Sequence, residues 1–97
     1  MIFSYRIDGC QITDIDKNLI EAKLQKLEKF DVRITDESVK AHINVLRGTR
    51  HNSPNYKISI QLTIPRESLR AEASGKTIAD AVDEIEREFR VQIEKLK

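Results

Sequence analysis

The chain has one cysteine, no tryptophan, two prolines and three glycines in 97 residues. With Cys10 alone, no internal disulfide and no Cys-x-x-Cys metal or redox motif is possible, which fits a reducing compartment. Gly9, Gly48 and Gly75 are isolated, so they read as turn residues and form no phosphate-cradling loop. No window approaches the ~18 consecutive apolar residues of a membrane span. The opening Met1-Ile2-Phe3-Ser4-Tyr5-Arg6 also lacks the basic-then-apolar layout of an export signal, so a cytoplasmic location and no membrane partner are expected. Neither sign of charge dominates: 17 Lys and Arg face 16 Asp and Glu, a net +1. Any attraction for a polyanion must therefore come from where the cations lie, not from how many there are.

What the chain does have is pattern. Hydrophobic residues make up 39% and charged residues 34%, and the apolar ones recur at regular spacings, which argues against disorder. At this length the whole chain, 1–97, reads as one domain able to bury a modest core without metal or disulfide.

From Ile2 to Asp8, Phe3, Tyr5 and Ile7 alternate with Ser4 and Arg6, predicting a first strand that ends at Gly9. Thr13 or Asp14 is placed to cap a helix with Ile15, Leu19, Ile20, Leu24, Leu27 and Phe30 on its apolar face, ending near Phe30. Val39, Ala41, Ile43 and Val45 predict a second strand, and Gly48 to Asn55 a loop. Tyr56, Ile58, Ile60, Leu62 and Ile64 form the clearest period-two run. A short turn over Pro65 to Ser68 leads to Leu69, Ala71 and Ala73, predicting an antiparallel hairpin. After Gly75, Ile78, Val82, Ile85, Phe89, Ile93 and Leu96 lie at helical spacing to the end of the chain, with Arg87, Arg90 and Lys97 on the other side. The order is β-α-β-β-β-α, an α+β domain with a four-stranded sheet and two helices packed on one face. The helical crossover makes the first two strands either parallel neighbours or partners separated by another strand.

The run Lys23-Leu24-Gln25-Lys26-Leu27-Glu28-Lys29-Phe30 resembles the K-L-x-K-L-E-K-[YF] helix end of the ribosome hibernation-promoting factor family, which takes in ribosome-associated inhibitor A (protein Y). Leu69-Arg70-Ala71-Glu72-Ala73 is similar to the L-R-A-E-A strand of that family, and Ala81-Val82-Asp83 to its A-I-D. Element order and length match as well, and the end of the chain straight after its last helix resembles the short members. The resemblance implies a stress or stationary-phase factor that occupies the decoding channel of the small ribosomal subunit, contacts its rRNA and inhibits translation. It also implies that Lys23, Lys26 and Lys29 are phosphate contacts. There is one departure. Aligned through Ala81-Val82-Asp83, the D-K-L-x-R-Q-L pattern of the family puts its lysine at Glu88 and its arginine at Val91, whereas Arg87 and Arg90 stand one position earlier, about 100° around the axis.

Further candidates for RNA contact come from charge distribution. Arg87 and Arg90, three residues apart, suit neighbouring phosphates, and Lys95 follows them. Between Arg33 and Arg70, Arg33, Lys40, Arg47, Arg50, Lys57, Arg66 and Arg70 face only Asp36, Glu37 and Glu67. Arg47, Arg50 and His51 fall in the predicted loop, a place where ordering on RNA is expected, and Arg70 lies beside the hairpin. Each cluster also has a plainer reading as solvated surface, and the acid-early, base-late layout of the last helix suits its dipole. The five aromatics, Phe3, Tyr5, Phe30, Tyr56 and Phe89, sit on core faces, which speaks for recognition by shape and phosphate over base stacking.

Catalysis has no support. Cys10 has no histidine near it in sequence, His42 and His51 lack metal-ligand spacing, and Asp14 and Asp16 belong to a helix start. No enzyme activity, cofactor, metal or small-molecule substrate is therefore expected. Two other readings are a protein-interaction module using a sheet edge or the Val91 side, and a generic structured-RNA binder.

Overall fold

A computed structural model describes residues 1–35, 37–50 and 53–95. Strand β1 (Ile2–Asp8) leads to helix α1 (Asp14–Gln25), then come β2 (Lys40–Arg50), β3 (Ser53–Ile64), β4 (Glu67–Gly75) and helix α2 (Ile78–Lys95). Two short 3-10 segments, Lys26–Lys29 and Val32–Thr35, lie between α1 and β2. The order is the β-α-β-β-β-α read from the sequence. Leu96 and Lys97 lie outside the described residues, as do Asp36 and His51.

Local chemistry fixes the helix starts. Thr13 Oγ1 accepts from the Asp16 N–H at 3.1 Å, and the Asp16 carboxylate accepts from the Thr13 N–H at 3.2 Å. This reciprocal box satisfies two donors that a helix start leaves free, and it selects Thr13 over Asp14 as the cap. Thr77 does the same single-handedly for α2, accepting from the Asp80 N–H at 3.1 Å. At its other end α1 tightens: α-helical bonding stops at Gln25, and Lys26–Lys29 carry the chain onward as a 3-10 turn that still buries Leu27.

The sheet runs β1-β2-β3-β4, with β1 parallel to β2 and the other pairs antiparallel. The first two strands are thus neighbours, which settles the alternative left open by the sequence. Ala41, Ile43 and Val45 of β2, Ile58, Ile60, Leu62 and Ile64 of β3, and Leu69, Ala71 and Ala73 of β4 face the helices. Onto them pack Ile20 and Leu24 of α1, with Leu27 and Ile34 from the 3-10 segments, and Ile78, Val82, Ile85, Phe89 and Ile93 of α2. Helix α2 lies over β4 and β3, with α1 beside it on the β1 side.

Two expectations are corrected. Ile15 stands 79% exposed, because it lies about 140° around α1 from the buried Ile20. The Gly48–Asn55 loop is mostly strand: the β2–β3 ladder continues from Arg47 opposite Tyr56 to Arg50 opposite Ser53. Backbone pairing between the two strands overrides the turn-forming character of Gly48, Pro54 and Asn55. Pro54 is tolerated because β4 pairs with β3 only from Tyr56 onward, so at Pro54 the ribbon has a free side.

Candidate nucleic-acid interface

Both helices begin at the same end of the sheet, where Asp16, Tyr56, Thr77 and Ile78 meet, and run side by side in the same direction. Residues in the later turns of α1 therefore face the middle turns of α2. Lys23, between Leu24 and the sheet-facing stripe, cannot point straight into water. Its stem runs along apolar surface and its side chain is 24% exposed. Its Nζ lies 2.8 Å from Asp83 Oδ1 and 3.7 Å from Glu86 Oε2, an ion pair between the helices.

Around that pair the other cations gather. Arg90 donates to Glu86 Oε1 at 2.9 Å, and Arg87 Nε donates to the Asp83 carbonyl at 3.4 Å. Lys23, Asp83, Glu86, Arg87 and Arg90 together line an open groove of about 250 Å³. Phe30 sits under two cations, Lys29 Nζ at 5.3 Å and the Arg90 guanidinium at 5.6 Å from its ring centroid, so the 3-10 turn joins the same flank. Its face is covered by these cations and offers no stacking platform for a base. Lys26 is exposed on that turn and near enough to pull on the Asp83 carboxyl. Among the described residues Lys26 and Lys29 make no ion pair, which leaves both ammonium groups available to an anion.

The electrostatics follow from the geometry. The Lys23 ammonium bonded to Asp83 holds that carboxyl below its ordinary value, and Arg87 and Lys26 add to the pull. Lys23 is shifted upward in return, first by its bond to Asp83 and then by the charges of Asp83 and Glu86. Both groups stay ionised at neutral pH. The flank thus presents five cations, Lys23, Lys26, Lys29, Arg87 and Arg90, around two carboxylates.

The remaining sequence candidates lie elsewhere. Lys95 follows Arg87 and Val91 along the outer side of α2 in a shallow groove that also includes Glu84, Glu88 and Gln92. Arg47 is exposed at the end of the sheet where the helices begin, with its carbonyl against Gly9, and it belongs to β2 and not to a loop. Arg50 closes β2 opposite Ser53, and its side chain lies outside the described residues. Arg70 points to the helix-free face of the sheet, in the row Ser4, His42, Gln61, Arg70, and its guanidinium is 3.9 Å from Glu72. The structure therefore brings together the three lysines of the first helix end and the two arginines of α2, and keeps Arg47 and Arg70 apart from them.

Sequence reasoning missed Asp83 and Glu86, whose acidity reads as a helix-dipole preference. The signal was present: Asp83 and Glu86 are spaced three apart, in step with Arg87 and Arg90, which puts all four on one strip of α2. Glu88, where the family pattern has lysine, also has a local reason. Its carboxylate accepts from the Glu72 N–H at 3.3 Å, while Gln92 donates to the Arg70 carbonyl at 2.8 Å. Both bonds go to outward-facing backbone groups of β4, so α2 covers that edge of the sheet.

Comparison with known proteins agrees with this architecture. Residues 3–97 match the family described as sigma 54 modulation protein / S30EA ribosomal protein. A ribosome hibernation promotion factor of Deinococcus radiodurans is 26% identical over 95 residues, covering 96% of this chain and 48% of the relative. The chain spans about half the length of that curated relative. Among solved structures, the N-terminal domain of Thermus thermophilus protein Y superposes with a TM-score of 0.73 at 18% identity, with full coverage of both chains. A ribosomal subunit interface protein from Coxiella burnetii gives a TM-score of 0.79 at 18% identity, covering 99% of this chain and 97% of the other. These two likenesses concern the fold.

Proposed function

The chain belongs to the sigma 54 modulation protein / S30EA ribosomal protein family, and on that premise we propose that it is a ribosome-binding factor of stress or stationary phase, acting in the cytoplasm on the small subunit. It binds rRNA in the decoding channel and inhibits translation by occupying that space, without catalysis. The observation that supports this most is the convergence of Lys23, Lys26, Lys29, Arg87 and Arg90 on one flank of the helix pair, from segments some sixty residues apart. A cluster of this kind engages a curved phosphate surface without reading bases. Lys26 and Lys29, which make no ion pair among the described residues, and the exposed Arg87 are the contacts assigned to phosphate. Lys23 and Arg90, each tied to a carboxylate, place the groove between the helices. The neighbouring Lys95 extends the run along α2, and Arg47 stands apart at the end of the sheet where the helices begin.

Co-sedimentation with purified small subunits tests this reading. The protein is expected to pellet with them at low salt and to be released as salt rises. Reversing charge at Lys26, Lys29 and Arg87 is expected to weaken binding by at least tenfold, since each lost phosphate contact removes a counterion-release contribution. The same triple reversal at Arg6, Lys40 and Lys57 on the helix-free face is expected to do much less. No pelleting at low salt would sink the function, and equal effects of the two triples would sink the assigned face. The protein-interaction reading through a sheet edge is left with β1, since α2 side chains hold the β4 edge.

A further inference from the structure

Two carboxylates stand among the cations of this flank, where their charge opposes the approach of RNA. Asp83 and Glu86 are not incidental neighbours. Glu86 is nearly buried, with its side chain 8% exposed, and its two oxygens lie 3.7 Å from Lys23 Nζ and 2.9 Å from the Arg90 guanidinium. Asp83 is half exposed and is reached by Lys23, Arg87 and Lys26. Burying a charged group is expensive unless it is paired, so an apolar residue at 86 would be the simpler choice if packing were the only demand.

Resting on the ribosome-binding reading above, we propose that Asp83 and Glu86 are specificity-determining residues. They place negative charge beside Lys23, Arg87 and Arg90 in the groove that these five residues line, with Lys26 and Lys29 on the adjoining 3-10 turn, so that a phosphate can approach only at the rim of that groove. An RNA surface whose phosphates match the rim positions meets Lys26, Lys29 and Arg87 and leaves the Lys23–Asp83 and Arg90–Glu86 pairs intact. A regular duplex, with evenly spaced phosphates and no such relief, brings one or more of them against Asp83. Discrimination then comes from a repulsive element set inside an attractive one, which attraction alone cannot supply.

The experiment is a pair of binding measurements on the intact chain, one with a generic duplex RNA of about two helical turns and one with purified small subunits. It compares the protein with its Asp83→Asn, Glu86→Gln variant. Both substitutions keep side-chain shape and remove charge. A matched double variant, Asp8→Asn with Glu72→Gln, removes the same charge from the helix-free face. The expected result is a gain of at least tenfold for the duplex, on the order of one counterion-release contact, and a change of less than threefold for the subunit. The matched variant should move neither by more than threefold. An equal gain for both RNAs, no gain for the duplex, or a loss for both would overturn the proposal. The last outcome would show that the carboxylates act only as scaffolding. Thermal melts of both variants confirm that they are folded. Should the unmodified chain fail to bind subunits at low salt, the functional reading falls, whereas the carboxylates' repulsion is still read from the duplex arm by itself.

Discussion

Gly9 shows how one residue can carry a geometric demand. It closes β1 with φ at +77°, a conformation that side chains rarely adopt, and a Cβ there would meet the Arg47 carbonyl oxygen at 2.9 Å. Since the obstacle is backbone, no rotamer change relieves it. Gly9→Ala is therefore expected to lower unfolding free energy by about 1–2 kcal/mol, combining left-handed strain with the close approach. Urea unfolding measures it, and a variant as stable as the parent would mean that the β1–α1 connection relaxes freely. Arg66 presents the opposite case. With φ at +69° after Pro65, it takes the corner of a two-residue connection where glycine is the usual occupant. The sequence marked the turn at Pro65 but gave no sign of that conformation, because arginine has no special preference for it.

Among the elements, α2 does the most, and its two sides have different tasks. Ile78, Val82, Ile85, Phe89 and Ile93 fill the core, as the 3.6-residue spacing requires. Its flank beside β4 fastens the sheet edge through Glu88 and Gln92. Replacing both with alanine is expected to cost about 1–2 kcal/mol, the net worth of two hydrogen bonds to backbone groups. An unchanged urea midpoint would indicate that water serves the edge equally well. The core side was legible in the sequence, since burial follows periodicity. The edge contacts were not, since Glu88 and Gln92 look like ordinary solvated positions until β4 is known to run beside them. The long β2–β3 hairpin was hidden in the same way: Gly48, Pro54 and Asn55 favour turns locally, and only pairing across the ribbon carries the strands through them.

Across the whole molecule, the Lys23–Asp83 pair ties α1 to α2 and so links the two halves of the chain. Its pH dependence has a definite sign. The carboxyl of Asp83 is held below its ordinary 3.8 in the folded protein, so its contribution is present above that value and is lost as pH falls through the lower folded one. Lys23 is raised above its ordinary 10.5, so its contribution persists below that value and is lost only as pH climbs through the higher folded one. Between those limits the clamp is constant. Stability is accordingly expected to fall in acid, and Asp83→Asn to lose less between neutral pH and about pH 3 than the parent does, as measured by urea midpoints. Parallel acid losses in the two proteins would show that the pair contributes nothing to holding the helices together.

The sequence by itself determined the element order, the two helices on one face of the sheet and most of the core residues, Ile15 excepted, because period-two and period-3.6 burial are properties of neighbours along the chain. It also supplied the lysines and arginines from which the flank is made. Only the tertiary structure decided that the first two strands lie side by side, that Arg47 and Arg70 stand away from the helix cations, and that Asp83 and Glu86 sit among those cations. Each of these depends on which distant segments meet, and a charge has no local pattern that reveals what it faces across a fold.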